Sequence, residues 1–245
     1  MGKPPSSRQG HGEGELPVLQ GVRACCRDRG WRGRGWRATA VRADGLAGGD
    51  RMIEVRALTG DGITAHAGEV AALRLAVFRD WPYLYDGDLA LERQYVETYR
   101  DHPGALLVGA FDLGRLVGAS TSTPLEDVSA DFAAAFSARG IPRDRVLWGP
   151  ESVLLPAYRG QGIGHRFFDL REGHAREMGR SHVAFAQVLR PDSHPARPEN
   201  ARTNNAFWTG CGYAPMEGVR VEYEWRDVGD LDETVKPLQV WWKAL

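Results

Sequence analysis

The sequence is poor in cysteine and contains no long apolar run. Its three cysteines, Cys25, Cys26 and Cys211, are too few and too unevenly spaced for a disulfide framework or a four-ligand zinc site. We therefore expect no metal centre and a chain that resides in the reducing cytoplasm. No stretch of about 18 apolar residues is present, so we expect no membrane-spanning helix. The first residues lead into no apolar segment, so we also expect no secretory signal.

A strong net charge of either sign is also missing, although the charge is unevenly distributed. Residues 1–51 contain ten basic and five acidic side chains, whereas residues 52–245 contain 21 basic and 27 acidic ones. The hydrophobic content of 42% and the charged content of 26% are ordinary for a globular protein. The change in composition predicts a disordered Gly/Arg-rich extension over 1–51 and one folded domain over 52–245.

The extension allows three interpretations. Its run 30–37, Gly-Trp-Arg-Gly-Arg-Gly-Trp-Arg, has neither helical nor strand periodicity, and its low apolar content does not offset the entropy of ordering. Arginine, glycine and tryptophan together could bind single-stranded nucleic acid, but the acidic character of 52–245 makes nucleic acid the least favoured partner. The other interpretations are a disordered extension without a partner and a start-site artefact in which Met52 is the true first residue.

The apolar periodicity from Met52 onward predicts a mixed α/β domain. The terminal strand, with Trp241 and Trp242, could form a homodimer edge or could close the sheet. We predict strands over 53–58, 104–111, 115–123, 146–155, 182–189, 219–225 and 238–243, of which the fourth is interrupted by Gly149-Pro150-Glu151. We predict helices over 66–79, 88–99, 129–138, 163–178 and 203–210, with Asp88 and Thr203 as N-caps of the second and fifth.

The most informative motif is a glycine-rich turn, Arg-Gly-Gln-Gly-Ile-Gly at 159–164, between an apolar strand and a helix. Glycines allow a close backbone approach, and the free N–H groups and dipole of the following helix favour an anion. A P-loop would require Lys and then Ser or Thr, but His165 and Arg166 follow here, and a dinucleotide fingerprint requires another glycine spacing. The remaining choices are a different phosphate ligand or a helix entry without any ligand.

The pattern Arg/Gln-x-x-Gly-x-Gly/Ala resembles the pyrophosphate-binding turn of the GNAT N-acetyltransferase superfamily. The preceding Leu-Leu-Pro-Ala-Tyr, the following Phe-Phe and the run 206–213 fit the same family, and the resemblance covers 52–245. It implies a central mixed, mostly antiparallel sheet that splays between 146–155 and 182–189, with helices on both faces and acetyl-CoA as co-substrate. The cofactor-binding residues that it implies are Val153, Leu154, Leu155, Arg159, Gly160, Gln161, Gly162, Ile163, Gly164 and His165.

The resemblance further implies direct attack of an amine on the thioester, which requires a base and a source of protons. Glu151 is the candidate base, because it lies in an otherwise apolar strand beside the expected acetyl site; His182 is a second candidate. The family's usual acid position carries Trp208, which has no proton to give. Tyr213 is the nearest alternative acid, although packing is its competing role, and the thiolate could instead take a proton from water.

Two loops are expected to bind the acceptor. The first, 81–88, combines aromatic rings with carboxylates and suits a cationic amine, whereas the second, 190–198, offers arginines for a carboxylate. Together they suggest a small-molecule or peptide amine, although either loop could be a plain surface connection. The alternative function is a GNAT-like module that binds acyl-CoA without catalysis. The candidate substrate-binding residues are Trp81, Tyr83, Tyr85, Asp86 and Arg190.

Overall fold

Nine strands form a single sheet within the residues that the computed structural model describes, namely 39–43, 51–128 and 130–245. The spatial order is β1-β2-β3-β4-β5-β7-β9-β8, with β6 also paired to β4. All pairs are antiparallel except β5 with β7, which confirms the predicted mixed, mostly antiparallel sheet. The strands are β1 Thr39–Ala43, β2 Arg51–Leu58, β3 Leu106–Asp112, β4 Arg115–Pro124, β5 Val146–Trp148, β6 Ser152–Leu154, β7 His182–Val188, β8 Ala214–Arg226 and β9 Glu233–Ala244.

Helices cover both faces of the sheet, as predicted. Successive side chains of a strand point to opposite faces. In β3, Leu107 therefore packs in one apolar cluster with Val70 of α1, whereas Val108 packs in another with Phe167 of α4. The helices are α1 Asp61–Phe78, α2 Leu89–Glu97, α3 Ala130–Ser137, α4 Ile163–Glu177 and α5 Asn205–Gly210.

The segment between β5 and β6 contains one residue more than the stretch of β4 opposite to it. Thr123 of β4 pairs with Trp148, whereas Ser120 pairs with Ser152, so the partner strand advances four residues while β4 advances three. This two-against-one arrangement is a β-bulge. The predicted interruption of the strand over 146–155 is confirmed, because two short strands are joined by Gly149, Pro150 and Glu151.

Five residues of the segment predicted to be a disordered extension are ordered. β1 pairs with β2 from Thr39↔Val55 to Ala43↔Arg51, and Val41 packs against the apolar cluster under α4. The predicted boundary at residue 52 is therefore wrong for Thr39–Ala43, because β2 has an unoccupied edge with which these residues pair. The run 30–37 and the rest of 1–38 lie outside the described residues, so disorder, nucleic-acid binding and a start at Met52 stay untested predictions there.

Several element boundaries differ from the predicted ones. α1 begins at Asp61 rather than near His66, because Gly60 (φ 49°) already turns the chain into the helix. Asp88 caps α2 as predicted, since its carboxylate accepts the N–H groups of Ala90 and Leu91. The predicted cap Thr203 is wrong, because Asn204 occupies that position and makes no side-chain cap bond.

Of the two alternatives for the last strand, the structure does not support a dimer edge. β9 pairs with β7 on one side and with β8 on the other, so it lies inside the sheet. The edge is β8 instead, whose outward residues include charged side chains. A homodimer stays a prediction without this support. In the described part of the chain, no helix is both long and apolar enough to cross a membrane.

Candidate active site

The sheet opens between β6 and β7. β5 and β7 run parallel for three residue pairs, and the Gly149 N–H then donates to the Ala184 carbonyl at 2.8 Å. Beyond this point, among the residues that the structure describes, β6 pairs only with β4 and β7 only with β9. Ser152 is exposed although it lies in the middle of the sheet. The bulge thus produces the gap that was predicted between 146–155 and 182–189.

A backbone donor faces this gap. The Leu155 N–H donates to the Val117 carbonyl of β4 at 3.0 Å. Successive N–H groups of a strand point to opposite sides, so the Leu154 N–H is directed away from β4 and into the gap. Leu154 is one of the predicted cofactor-binding residues, and this N–H is the group that it offers to the gap. The side chain of Val153, by contrast, is buried in the core.

The glycine-rich turn lies at one end of the gap and begins α4. Gly160 and Gly162 have φ of 77° and 82°, a left-handed conformation that favours glycine. A Cβ on Gly164 would lie 3.2 Å from Phe207 Cζ, so glycine allows α4 to approach α5. Gly162 caps α4 without a side-chain bond, which leaves the N–H groups of the first turn for an anion.

Three further predicted cofactor residues surround the turn. The Arg159 Nε donates to the Leu154 carbonyl at 3.2 Å, which holds this exposed side chain beside the gap. The Gln161 amide donates to the Ala157 carbonyl at 2.9 Å and braces the turn. The exposed ring of His165 packs edge-on against Phe207 at 4.9 Å.

Glu151 belongs to a buried ionic cluster on the α1/α2 face of the sheet. Arg74 of α1 lies 2.5 Å from the Glu151 carboxylate through Nη1 and 2.5 Å from the Glu92 carboxylate through Nε. The side chains of all three residues are at most 3% exposed. One guanidinium therefore serves two carboxylates, and the cluster has a formal charge of −1 in its ionised form.

Tyrosines surround the same carboxylate. The Tyr95 hydroxyl donates to Glu151 at 3.1 Å and lies 2.6 Å from the Tyr99 hydroxyl. Burial and the nearby Glu151 charge raise the pKa of both tyrosines, so they stay protonated and can donate. The same two causes raise the pKa of Tyr83 to about 12 and also raise that of Tyr223.

The structure does not bring Tyr213 to this cluster. Its ring packs against Phe168 and Phe185 at 5.1 and 5.2 Å, on the α4 face, and burial raises its pKa. The contacts support packing, and catalysis by Tyr213 stays a prediction. His182 pairs with Val146 at the closed end of the β5–β7 ladder, away from the opening.

The predicted acceptor residues divide into two groups. Tyr83 lies near Glu151, and the half-buried Trp81 packs against His194 at 5.3 Å. The other three make contacts within the protein. Asp86 pairs with Arg79 and Arg226 at 3.0 Å, Tyr85 is buried, and Arg190 binds Asp227 at 2.6 and 2.8 Å.

Arg190 connects two loops, and its guanidinium is occupied by contacts within the protein. Its Nε and Nη2 donate to the carbonyls of Pro82 and Tyr83 at 2.9 and 2.7 Å, and Lys236 also binds Asp227 at 3.2 Å. This arrangement brings the two predicted acceptor loops into contact. A substrate-binding role for Arg190 stays a prediction. In the structure, its guanidinium already binds a carboxylate, that of Asp227.

Sequence reasoning missed Arg74, Glu92, Tyr95 and Arg171. For Arg74 and Arg171, the spacing along the buried helix face could have indicated their importance. Arg74 continues the i, i+4 row of Val70 on the buried face of α1, and Arg171 continues that of Phe167 on α4. A charged residue inside an apolar helix face is rare unless it is paired or functional. Within the described residues, no group of three His, Cys, Asp or Glu side chains could hold a metal.

Comparisons with known proteins agree with this geometry. The family model described as acetyltransferase (GNAT) family matches residues 71–198, more than half of the chain. The chain belongs to the GNAT family. Among curated proteins, no sequence matches it significantly.

Solved GNAT structures share the fold at low sequence identity. A ribosomal-protein-alanine N-acetyltransferase from Brucella melitensis is 16% identical with a TM-score of 0.50, covering 74% of this chain and 95% of its own. The yncA protein from Salmonella typhimurium, solved with its cofactor acetyl-CoA, is 12% identical with a TM-score of 0.51, covering 79% and 94%. A GCN5-related N-acetyltransferase from Kribbella flavida is 17% identical with a TM-score of 0.50, covering 79% and 98%.

Proposed function

We propose that this GNAT protein transfers the acetyl group of acetyl-CoA to the amine of a small molecule or peptide by direct attack. The observation that carries the proposal is the gap between β6 and β7. The anion-binding turn lies at one of its ends, and the buried Glu151 carboxylate at the bulge lies at the other. The cysteine content is consistent with such chemistry in the cytoplasm.

Each part of the site has a distinct task in this proposal. The turn and the N-terminus of α4 hold the pyrophosphate, and Arg159 adds positive charge beside it. The Leu154 N–H stabilises the negative charge that develops on the carbonyl oxygen. Bound acetyl-CoA supplies the activated acetyl carbon.

Glu151 accepts the proton of the attacking amine. Arg74 and Tyr95 fix the carboxylate in one orientation, which a base requires. Glu92 balances the Arg74 charge, so the negative charge of the cluster remains available for an approaching ammonium group.

Calorimetric titration of the full chain with acetyl-CoA tests the cofactor. In Gly160→Glu a carboxylate would repel the pyrophosphate, and we expect binding to be lost. Gly114→Glu is the matched control. Both glycines have positive φ, and a Cβ added at either would meet no atom within 4 Å, but Gly114 lies in the β3–β4 turn. Absence of binding by the folded wild-type chain would overturn the proposal.

One observation favours the alternative, a module that binds acyl-CoA without catalysis. Trp208 occupies the family's usual acid position and packs between Phe185 and Trp241 at 5.1 Å from each ring. An amine panel with detection of free thiol separates the two functions. Tight acetyl-CoA binding without thiol release from any amine would favour the module.

A further inference from the structure

Arg171 is a buried cation whose hydrogen-bond partners are all neutral. It lies on α4 and is 2% exposed. It donates to the hydroxyls of Ser120, Ser122 and Ser152 at 2.7, 3.1 and 2.8 Å, and to the carbonyls of Thr121 and Glu151 at 3.2 and 3.0 Å. Among the described residues, no carboxylate forms a salt bridge with it. A buried charge without a counter-ion is costly, which points to a function.

The guanidinium lies where the sheet opens. A Cβ on Gly149 would come within 2.6 Å of Arg171 Cζ, so only glycine at the bulge leaves room for it. Its partner Ser152 is exposed in the gap. Arg171 is eight residues after Ile163, so α4 carries it about 12 Å from the glycine turn towards the bulge.

None of the candidate acids considered among the described residues suits the leaving group. Trp208 has no suitable proton, and Tyr213 is packed among aromatic rings with a pKa that burial raises. Tyr95 and Tyr99 lie on the other face, with Glu151. A thiolate that leaves without a proton requires positive charge nearby, and cationic neighbours lower the pKa of a thiol.

We propose that Arg171 is a catalytic residue that stabilises the departing coenzyme A thiolate. The inference rests on the proposed function. The amine nitrogen forms a bond to the acetyl carbon, Glu151 takes the amine proton, and the carbon–sulfur bond breaks with its electron pair on sulfur. The guanidinium balances this charge until water protonates the thiolate.

The carboxylates near Arg171 make their direct contacts with other cations, and the Arg74 cluster keeps its formal charge of −1. The titratable and charged groups that affect its pKa are Tyr213, Glu151, Tyr99 on the other face of the sheet, and its neighbour Glu172. Arg74 already pairs with Glu151, and Lys243 binds both oxygens of Glu172 at 2.8 Å. Burial lowers the pKa of Arg171, and Tyr213 and Glu151 oppose this effect; a guanidinium stays charged throughout the working range.

The test is the pH dependence of ligand binding by the full chain, which requires no acceptor. Coenzyme A has an ionisable thiol, whereas S-ethyl coenzyme A is a thioether that neither ionises nor hydrolyses. We expect coenzyme A to gain affinity relative to the thioether by about tenfold as the pH rises from about 6.5 to about 9, equal to one unit of thiol pKa. Calorimetry at each pH gives both dissociation constants.

Three variants test whether Arg171 causes the pH-dependent gain in affinity for coenzyme A. Arg171→Met should abolish the pH-dependent gain while thioether binding persists, and Arg171→Lys should retain part of it. Arg176→Met is the matched control, because Arg176 lies on the same helix with its side chain 54% exposed, and it should keep the full gain. Thermal melting identifies any variant that does not fold.

The outcomes separate the inference from the function on which it rests. If neither ligand binds, the proposed function fails as well. If both bind with the same pH dependence in the wild type, the thiolate role is overturned while cofactor binding stands, whatever the folding of the variants. An undiminished gain in folded Arg171→Met also overturns it.

Discussion

At the scale of single residues, one guanidinium organises the proposed base. Arg74 lies between Glu92 and Glu151 and packs on the Tyr95 ring at 4.3 Å. The side chain thus links α1, α2 and the bulge. Two predictions at this scale separate its structural contribution from the chemistry of Glu151.

We expect Glu151→Gln to lower kcat by about 10²- to 10⁴-fold, the usual effect of removing a general base. The dissociation constant for acetyl-CoA should not change, because the amide keeps the shape of the bulge. Thiol release with the best amine of the panel measures kcat, and calorimetry measures binding. Glu222→Gln, at an exposed position of β8, is the control. A fully active Glu151→Gln variant would remove Glu151 from the reaction.

We expect Arg74→Met to lower the free energy of unfolding by about 3–5 kcal/mol, because two buried carboxylates lose their common partner. Adding Glu92→Gln and Glu151→Gln to this variant should recover much of the loss. Denaturant titration of the wild type, the single variant and the triple variant measures the difference. A triple variant less stable than Arg74→Met would show that the ion pairs are not the cause.

At the scale of elements, α4 is anchored to the sheet by polar side chains at successive turns. Arg171 binds β4 and β6, and the buried His174 lies 2.9 Å through Nε2 from the Gly104 carbonyl before β3. Both residues extend the apolar row that begins with Ile163 and Phe167. The orientation of α4 over the gap is therefore set by hydrogen bonds as well as by packing.

His174 gives this anchoring a pH dependence. Burial lowers its pKa, and the hydrogen bond to Gly104 only partly opposes this. The unfolded chain then binds more protons below about pH 6.5, so the free energy of unfolding falls as the pH drops, by at most about 1.4 kcal/mol per pH unit. His174→Gln should flatten the curve, with the remaining slope partly due to His182, whose pKa is also lowered by burial.

Denaturant titration between about pH 7 and pH 5 measures this slope. His194→Gln, in the loop after β7, is the control and should keep it. An unchanged slope in His174→Gln would show that folding does not lower the pKa of this histidine.

The sequence predicted the structure best where apolar periodicity is interrupted by glycine-containing turns. The glycine turn, the strand pair over β3 and β4 and the Asp88 cap follow from local patterns. The Arg74 cluster could not be predicted, because its members lie far apart in the chain and meet only through packing. The partner of Arg190 could not be predicted for the same reason, since Asp227 is 37 positions away.

At the scale of the whole molecule, the sheet begins before the stretch that the composition marks as folded. β1 completes one edge, and the Thr39 hydroxyl accepts a hydrogen bond from Arg166 of α4 at 2.5 Å. Val41 also approaches the glycine turn, at 3.8 Å from a Cβ built on Gly162. The edge strand thus supports the helix that begins at the cofactor turn.

We expect a chain that starts at Met52 to be less stable than one that starts at residue 38, by about 1–3 kcal/mol, because it lacks the β1–β2 hydrogen bonds. Denaturant titration of both chains measures the difference. Equal stabilities would show that β1 contributes nothing to the domain and would agree with a start at Met52. Mass spectrometry of the natively expressed N-terminus provides the direct answer.

The bulge between β5 and β6 makes the opening of the sheet depend on a single residue. Trp148 and Val153 face the same apolar cluster although an odd number of positions separates them, which a regular strand does not allow. Removing one residue at Pro150 would restore an even spacing and a single pairing register with β4. The two short strands could then merge and continue along β7. We therefore expect a three-nucleotide deletion in the gene to close the opening between β6 and β7.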